Sequence, residues 1–264
     1  LSPVVFLKLG GSLITDKRRE ATVRGPVLQR LAGEVATALK ARPELRLVVG
    51  HGSGSFGHFA GRRYGTRDGV ETQEDWIGYA EVGAAAGRLN RLVVDAFLTA
   101  SIPVLGIQPS ASARCRDGAL TSLDIGPVRT ALAHRLVPLV YGDVALDEVR
   151  GGTIISTEEI LIYLARFLRP GRILLAGEVG GVMDKTGAIV PVLRPEDRSA
   201  IEAGLGGSHG VDVTGGMWSK VDAMLALVAE QPALEVRIFS GAKAGELTRA
   251  LLDPDCGGGT LLTR

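Results

Sequence analysis

Cysteine is nearly missing from this 264-residue chain: Cys115 and Cys256 are the two present, and they share no metal-like spacing with each other or with a histidine. That pattern excludes a disulfide scaffold and a zinc ribbon, gives no metal set, and fits a reduced, cytoplasmic protein. Charge of one sign is missing too, since the net charge is +1. No global field therefore points toward nucleic acid or a membrane. Aromatic residues are 5% of the chain and are not grouped with the basic ones, which leaves nucleic-acid recognition without stacking platforms. No apolar run reaches the length of a membrane span, and no signal peptide stands out. The Walker A pattern is absent, as are the H-R-D and D-F-G sets, so neither a P-loop enzyme nor a protein kinase is indicated. Lysine is scarce as well. Of 30 basic residues six are lysines, at 8, 17, 40, 185, 220 and 243, and a chain that otherwise uses arginine has reasons for some of them.

Glycine is plentiful, at 36 residues, and it is clustered. Gly10-Gly11, Gly50–Gly57, Gly180-Gly181 and Gly215-Gly216 are among the clusters, and several directly follow apolar, β-rich runs. That is where open α/β sheets bind ligands. Strands are predicted at Val4–Leu9, Leu45–Val49, Pro103–Ile107, Val137–Tyr141, Arg172–Ala176, Val236–Phe239 and Thr260–Thr263. Helices are predicted at Pro26–Ala41, Gly126–His134, Thr157–Leu168 with Ser156 as N-cap, Gly216–Ala229 and Ala244–Leu251. Thr72–Ala100 reads as a long helical region, broken at Gly78, Gly83 or Gly87. Hairpins are expected at Ala113–Ser122, turning at Asp117-Gly118, at Gly142–Ile155 and at Val182–Val192. The alternation predicts the α/β class: an open αβα sandwich with a mainly parallel central sheet, edged by antiparallel hairpins. Residues 1–264 form one domain, with a soft boundary at Pro170-Gly171 between lobes of about 1–170 and 171–264.

Four segments carry chemistry. Lys8-Leu9-Gly10-Gly11-Ser12 ends the first strand, where glycines let backbone N–H groups approach an anion and a lysine inside an apolar run adds charge. Asp16-Lys17 follows within a few residues; a second lysine there could neutralise charge on a transferring phosphoryl group. Gly50–His58 follows the second strand. Its Gly52–Gly57 stretch matches G-x-G-x-x-G formally, so a dinucleotide site has to be weighed. The alternative is a cradle for the phosphate of an acceptor, with His58 donating a hydrogen bond to it and His51 as a satisfied polar group. Asp212–Lys220 enters a helix, where Gly215-Gly216 would offer free N–H groups to a phosphate and Lys220 would reach it from one turn further on.

In this order, Lys8–Ser12, Asp16-Lys17, Gly52–His58 and Asp212–Lys220 resemble the amino acid kinase superfamily. Ser55-Phe56-Gly57-His58, Ile107–Ser110, Tyr141–Val144, Gly152–Ser156 and Val211–Met217 are most similar to the isopentenyl phosphate kinases within it. The resemblance implies transfer of the γ-phosphoryl of ATP, with Mg2+, to isopentenyl phosphate, usually by a homodimer. It implies that Lys8, Gly10, Gly11, Ser12, Gly54, Gly215, Gly216 and Lys220 contact ATP, and that Lys17 stabilises the transition state. It implies that His58 holds the acceptor phosphate with Ser53 and Gly54, that Gly152 lies at the acceptor, and that Asp143 orients the lysines or lies near the metal. Val82, Val144 and Ile154 would line the pocket of the prenyl tail. Two departures stand out. Relatives carry a T-D-V-D-G-V run where this chain has Ala176–Val182, and an Asp where it has Thr157-Glu158-Glu159, so Glu158 would orient Lys8 and Lys220 through a longer arm. A fosfomycin-type kinase, a carboxylate kinase, a non-catalytic nucleotide sensor and a dinucleotide oxidoreductase remain open alternatives.

Overall fold

A computed structural model describes residues 4–184, 186–198, 215–256 and 258–264. The first strand, β1 (Val4–Leu9), is buried along its whole length. Such a run needs cover on both faces, which parallel sheets receive from helices. β1 is flanked in parallel by β2 (Arg46–His51) and by β9 (Arg172–Gly177), with Lys8 level with Gly50 and Leu175. β2 continues through β6 (Val137–Tyr141) to β3 (Val104–Gly106) at one edge. On the other side β9 pairs with β11 (Glu235–Ser240), then β12 (Thr260–Leu262) and β10 (Val192–Leu193). Among the described residues this is an eight-stranded sheet, order β10-β12-β11-β9-β1-β2-β6-β3, in which only the β11–β12 pairing is antiparallel.

Alternation along the strands sorts the core into two layers. Phe6, Val48, Val140, Ile173 and Ile238 face α5 (Gly126–Ala133), α6 (Thr157–Leu168) and α7 (Gly215–Glu230). Leu7, Leu9, Val49, Leu174 and Phe239 face α2 (Gly25–Ala41), α4 (Gln73–Thr99) and α8 (Glu246–Leu252). Lys8, two residues beyond Phe6, must therefore point to the α6 and α7 side. A second, four-stranded sheet, β5-β4-β7-β8, sits beside the first; its strands are Ala119–Ser122, Arg114–Arg116, Asp143–Asp147 and Gly151–Ile155.

The open αβα sandwich and its mainly parallel sheet are as predicted. The hairpin at Asp117-Gly118 also forms, with φ of 49° and 80° at the two turn residues, the left-handed pair such a tight turn needs. Three expectations change. The breaks expected at Gly78, Gly83 or Gly87 do not occur: α4 runs unbroken for 27 residues from its Thr72–Asp75 capping box. Its glycines serve close packing, since a Cβ at Gly78 would lie 2.4 Å from the Tyr64 ring and one at Gly83 3.0 Å from Val144. The glycine segment after β2 is not a long loop either. Only Gly52 and Ser53 separate β2 from α3 (Gly54–Tyr64), so His58 stands on a helix. Finally, among the described residues between Val182 and Val192 the pairing is a single bridge, Met183 with Ile189, rather than two strands.

Candidate active site

The two glycine turns meet at the carboxyl ends of β1 and β2. A Cβ on Gly11 would sit 2.5 Å from the Gly54 nitrogen, and one on Gly52 2.9 Å from the Gly11 nitrogen. Gly54 has φ of +50°, and a Cβ there would lie 2.2 Å from Thr15 Oγ1. Side chains are therefore excluded between these turns, and backbone faces backbone. Thr15 secures the junction: its hydroxyl donates to the Gly11 carbonyl at 2.7 Å and accepts from the Ser55 N–H at 2.9 Å. Ser12 lies in α1 (Gly11–Ile14), directly beyond the first turn. Ser53 folds over α3, its side chain filling the space a Cβ on Gly57 would take.

On the α6 side, Lys8 Nζ donates to Glu158 Oε1 at 2.6 Å, and Lys220 Nζ is 3.2 Å from the same oxygen. Local sequence explains why Glu158 and not its neighbour does this. Ser156 and Glu159 close a capping box at the start of α6, using up Glu159, and Glu158 is turned inward. The helix start is pressed onto β2, where Thr157 donates to the His51 carbonyl at 2.6 Å and only glycine fits at position 50. Burial opposes the charge on Glu158, but Lys8 and Lys220 override it and hold the carboxyl below its ordinary range. Burial pulls Lys8 downward; Glu158 counters this and Lys220 adds to it.

His58 lies on the exposed face of α3. Its proton affinity is lowered first by the protein atoms around it, then by Lys220, Arg62, Lys17 and Lys8 in that order. Four cations thus act on one imidazole. Lys17 is exposed in the turn after α1, a segment tied to α3 by Thr22 N–H to Ser55 Oγ at 3.2 Å. His51 is different. It is fully buried, stacked on Tyr141 with centroids 5.5 Å apart, and bonded to Gly52 and Asn90. Burial is the main cause of its pKa of about 4, so it is a neutral structural group.

Val82 and Val144 come together with Ala60 and Ala85 in a small buried cluster, against which Ile154, Tyr64 and Tyr79 pack. The cluster lies between α3, α4 and the second sheet, next to the helix that carries His58. Gly152 is also in that sheet, roofed by Tyr79: a Cβ there would lie 2.8 Å from the ring. Asp143 is 2% exposed and accepts the N–H groups of Ser110 at 3.1 Å and Val144 at 2.9 Å. The Ser110 side chain also acts on it, and the carboxylate in contact with Lys8 and Lys220 is that of Glu158. Gly215 and Gly216 open α7, the helix bearing Lys220; Asp212, Val213 and Thr214 lie outside the described residues. Among the described residues no group of three His, Cys, Asp or Glu side chains could hold a metal ion. The described residues offer no metal cage, whereas Mg2+ is commonly carried on nucleotide phosphates.

Two features of the site escape the sequence reading. Tyr79 and Tyr64 line the apolar cluster, and the signal for them is the run of glycines on α4, which marks close neighbours. Arg62 joins the cations around His58, and its signal is the four-residue spacing on one helix.

Comparison with known proteins follows the same lines. The amino acid kinase family model matches residues 3–240. The isopentenyl phosphate kinase of Methanothermobacter thermautotrophicus is 35% identical over 270 residues, covering 97% of this chain and 97% of that protein. The isopentenyl phosphate kinase of Haloferax volcanii is 37% identical over 244 residues, covering 92% of this chain and 96% of the relative. A solved isopentenyl phosphate kinase structure superposes with a TM-score of 0.82 at 31% identity, over 98% of this chain and 99% of that one. The chain belongs to the amino acid kinase family, among its isopentenyl phosphate kinases.

Proposed function

We propose that this chain transfers the γ-phosphoryl group of ATP to isopentenyl phosphate, yielding isopentenyl diphosphate and ADP. The observation that carries the reading is the small apolar cluster of Ala60, Val82, Ala85 and Val144 beside the His58 helix. A phosphate held at His58 would extend a short branched hydrocarbon into it. An acceptor oxygen of the monoester attacks Pγ as the bond from Pγ to the β,γ-bridging oxygen breaks, and the electron pair leaves on ADP. The monoester is already a nucleophile at neutral pH, so the protein's task is to bring two anions together. In this reading Lys8, Lys220 and the N–H groups near Gly10, Gly11, Ser12, Gly54, Gly215 and Gly216 hold the nucleotide phosphates. Lys17 stabilises charge on the group in flight, Glu158 aims Lys8 and Lys220, and His58, Ser53 and Gly54 hold the acceptor. Mg2+ held on the nucleotide phosphates would neutralise part of their charge.

The chain would act as a homodimer in the cytoplasm, with acceptor contacts drawn mainly from residues 1–170. No helix among the described residues is long and apolar enough to cross a membrane.

A fosfomycin-type acceptor, also a phosphorus oxyanion, fits the anion side equally but brings no hydrocarbon tail to the apolar cluster. Assay of the full chain with Mg2+-ATP and either acceptor separates the two. ADP release with isopentenyl phosphate well above that with fosfomycin is expected; no turnover of isopentenyl phosphate above background overturns the reading.

A further inference from the structure

His58 leaves an acceptor phosphate under-neutralised. Partial desolvation and the nearby cations favour the uncharged form of this imidazole, which offers a single N–H. Lys8 is already matched with Glu158, and Lys220 shares that carboxylate. A monoester carries between one and two negative charges near neutrality, as phosphoryl groups with a second pKa near 6 do. Lys17 is taken up by the group in flight in the reading above, so a further cation on the acceptor side is called for.

Resting on the phosphate-acceptor reading above, we propose that Arg62 is an acceptor-binding residue whose guanidinium grips the phosphate opposite His58. Both residues lie in the uninterrupted helix α3 at positions i and i+4, which places them on one face, one turn apart. Gly61, between them, lies against the acceptor-side cluster: a Cβ there would be 3.1 Å from Ile154 Cδ1. Arg62 is exposed and has no hydrogen bond or ion pair among the described residues, whereas adjacent Arg63 is bonded to Glu20 at 3.3 Å. A guanidinium can give two parallel N–H bonds to one phosphate, a geometry lysine lacks. The plainer role for Arg62 is a cation in the last turn of a helix, complementing the dipole. That role concerns α3's stability and would not single out one substrate.

The test compares the unaltered full chain with Arg62→Gln and Arg62→Lys, measuring KM for isopentenyl phosphate and for ATP. In parallel, the imidazole NMR signal of His58, identified by its loss in His58→Ala, is titrated with inorganic phosphate in the absence of nucleotide. Arg62→Gln should raise acceptor KM at least tenfold while ATP KM stays within twofold, and should weaken the phosphate titration by a similar factor. Arg62→Lys should recover part of the loss. Acceptor KM within twofold of the unaltered chain, a parallel rise in both KM values, or a phosphate titration unaffected by the substitution overturns the assignment. The titration requires no turnover. If isopentenyl phosphate proves not to be an acceptor, the Arg62-dependent response to phosphate still decides this residue's role, and no response at His58 in the unaltered chain overturns it.

Discussion

Replacing Glu158 with glutamine removes the negative charge that Lys8 and Lys220 share while keeping the side chain's volume. Glu158 is 6% exposed and Lys8 8%, so the pair is out of water. Removing one partner of a buried ion pair costs about 3–5 kcal/mol, because the remaining charge stays buried without compensation. Glutamine keeps an oxygen for Lys8 Nζ, and the Lys220 side chain is half exposed and partly screened by solvent. The lower end, about 3 kcal/mol, is therefore expected. For a chain of this size that is a fall of roughly 6–12 °C in Tm. The sign with pH follows from the carboxyl being held below its ordinary value of 4.5. Such a group contributes its stability fully above that value and loses it as pH falls toward the folded-state value. The gap in Tm between the two proteins should be widest above about pH 5 and should close on acidification. Thermal denaturation of both across a series from about pH 7 down to about pH 3 makes the measurement, with ATP KM taken at neutral pH. Equal Tm at neutral pH, or a gap that widens in acid, would refute the reasoning.

His58→Ala removes a hydrogen bond to a charged group, a loss of about 1.5–3 kcal/mol, and should raise acceptor KM by roughly 10- to 150-fold with little change in ATP KM; steady-state kinetics with each substrate varied decides this. Gly54→Ala forces a β-carbon into the left-handed region at φ of +50° and against Thr15. A cost of about 1–3 kcal/mol or more is expected from backbone strain alone, with loss of turnover. Adding Thr15→Ala removes the side-chain contact but leaves the backbone strain and the Gly11 carbonyl oxygen 2.8 Å from the new β-carbon, so only part of the loss should be recovered, as paired denaturation curves would show.

Much of the fold is legible in the sequence because period-two burial, capping residues and turn pairs are local signals. β1, α6 with its Ser156 cap and the Asp117-Gly118 turn follow from a few adjacent residues. The unbroken α4 defeats such reading because its glycines are set by tertiary neighbours: Tyr64 and Val144 come from elsewhere in the chain, and no local rule reveals them. Lys8 stands out as a charge in an apolar strand, yet its partner lies 150 residues away. Family resemblance points to that partner. The capping box at Ser156–Glu159, read as a rule of exclusion, reaches it too, since it removes Glu159 from consideration. Asp143 draws attention as an acid at a strand start, but two of its partners, the Ser110 and Val144 amides, are backbone groups without side-chain signature. The apolar residues Val82, Val144 and Ile154 lie on three separate elements, and composition alone could not bring them together.

The contact between Gly11 and Gly54 has an engineering consequence. Where two main chains touch with no side chains between them, the positions of their N–H groups follow from the spacing of β1 and β2, two deeply buried strands of the sheet. In the proposed reading the phosphate floor would be set by the scaffold, and the apolar wall by side chains on α4, β7 and β8. On that reading, a library confined to Val82, Val144 and Ile154 would vary the fit to a larger or smaller alcohol while leaving the backbone contact between Gly11 and Gly54 as it is.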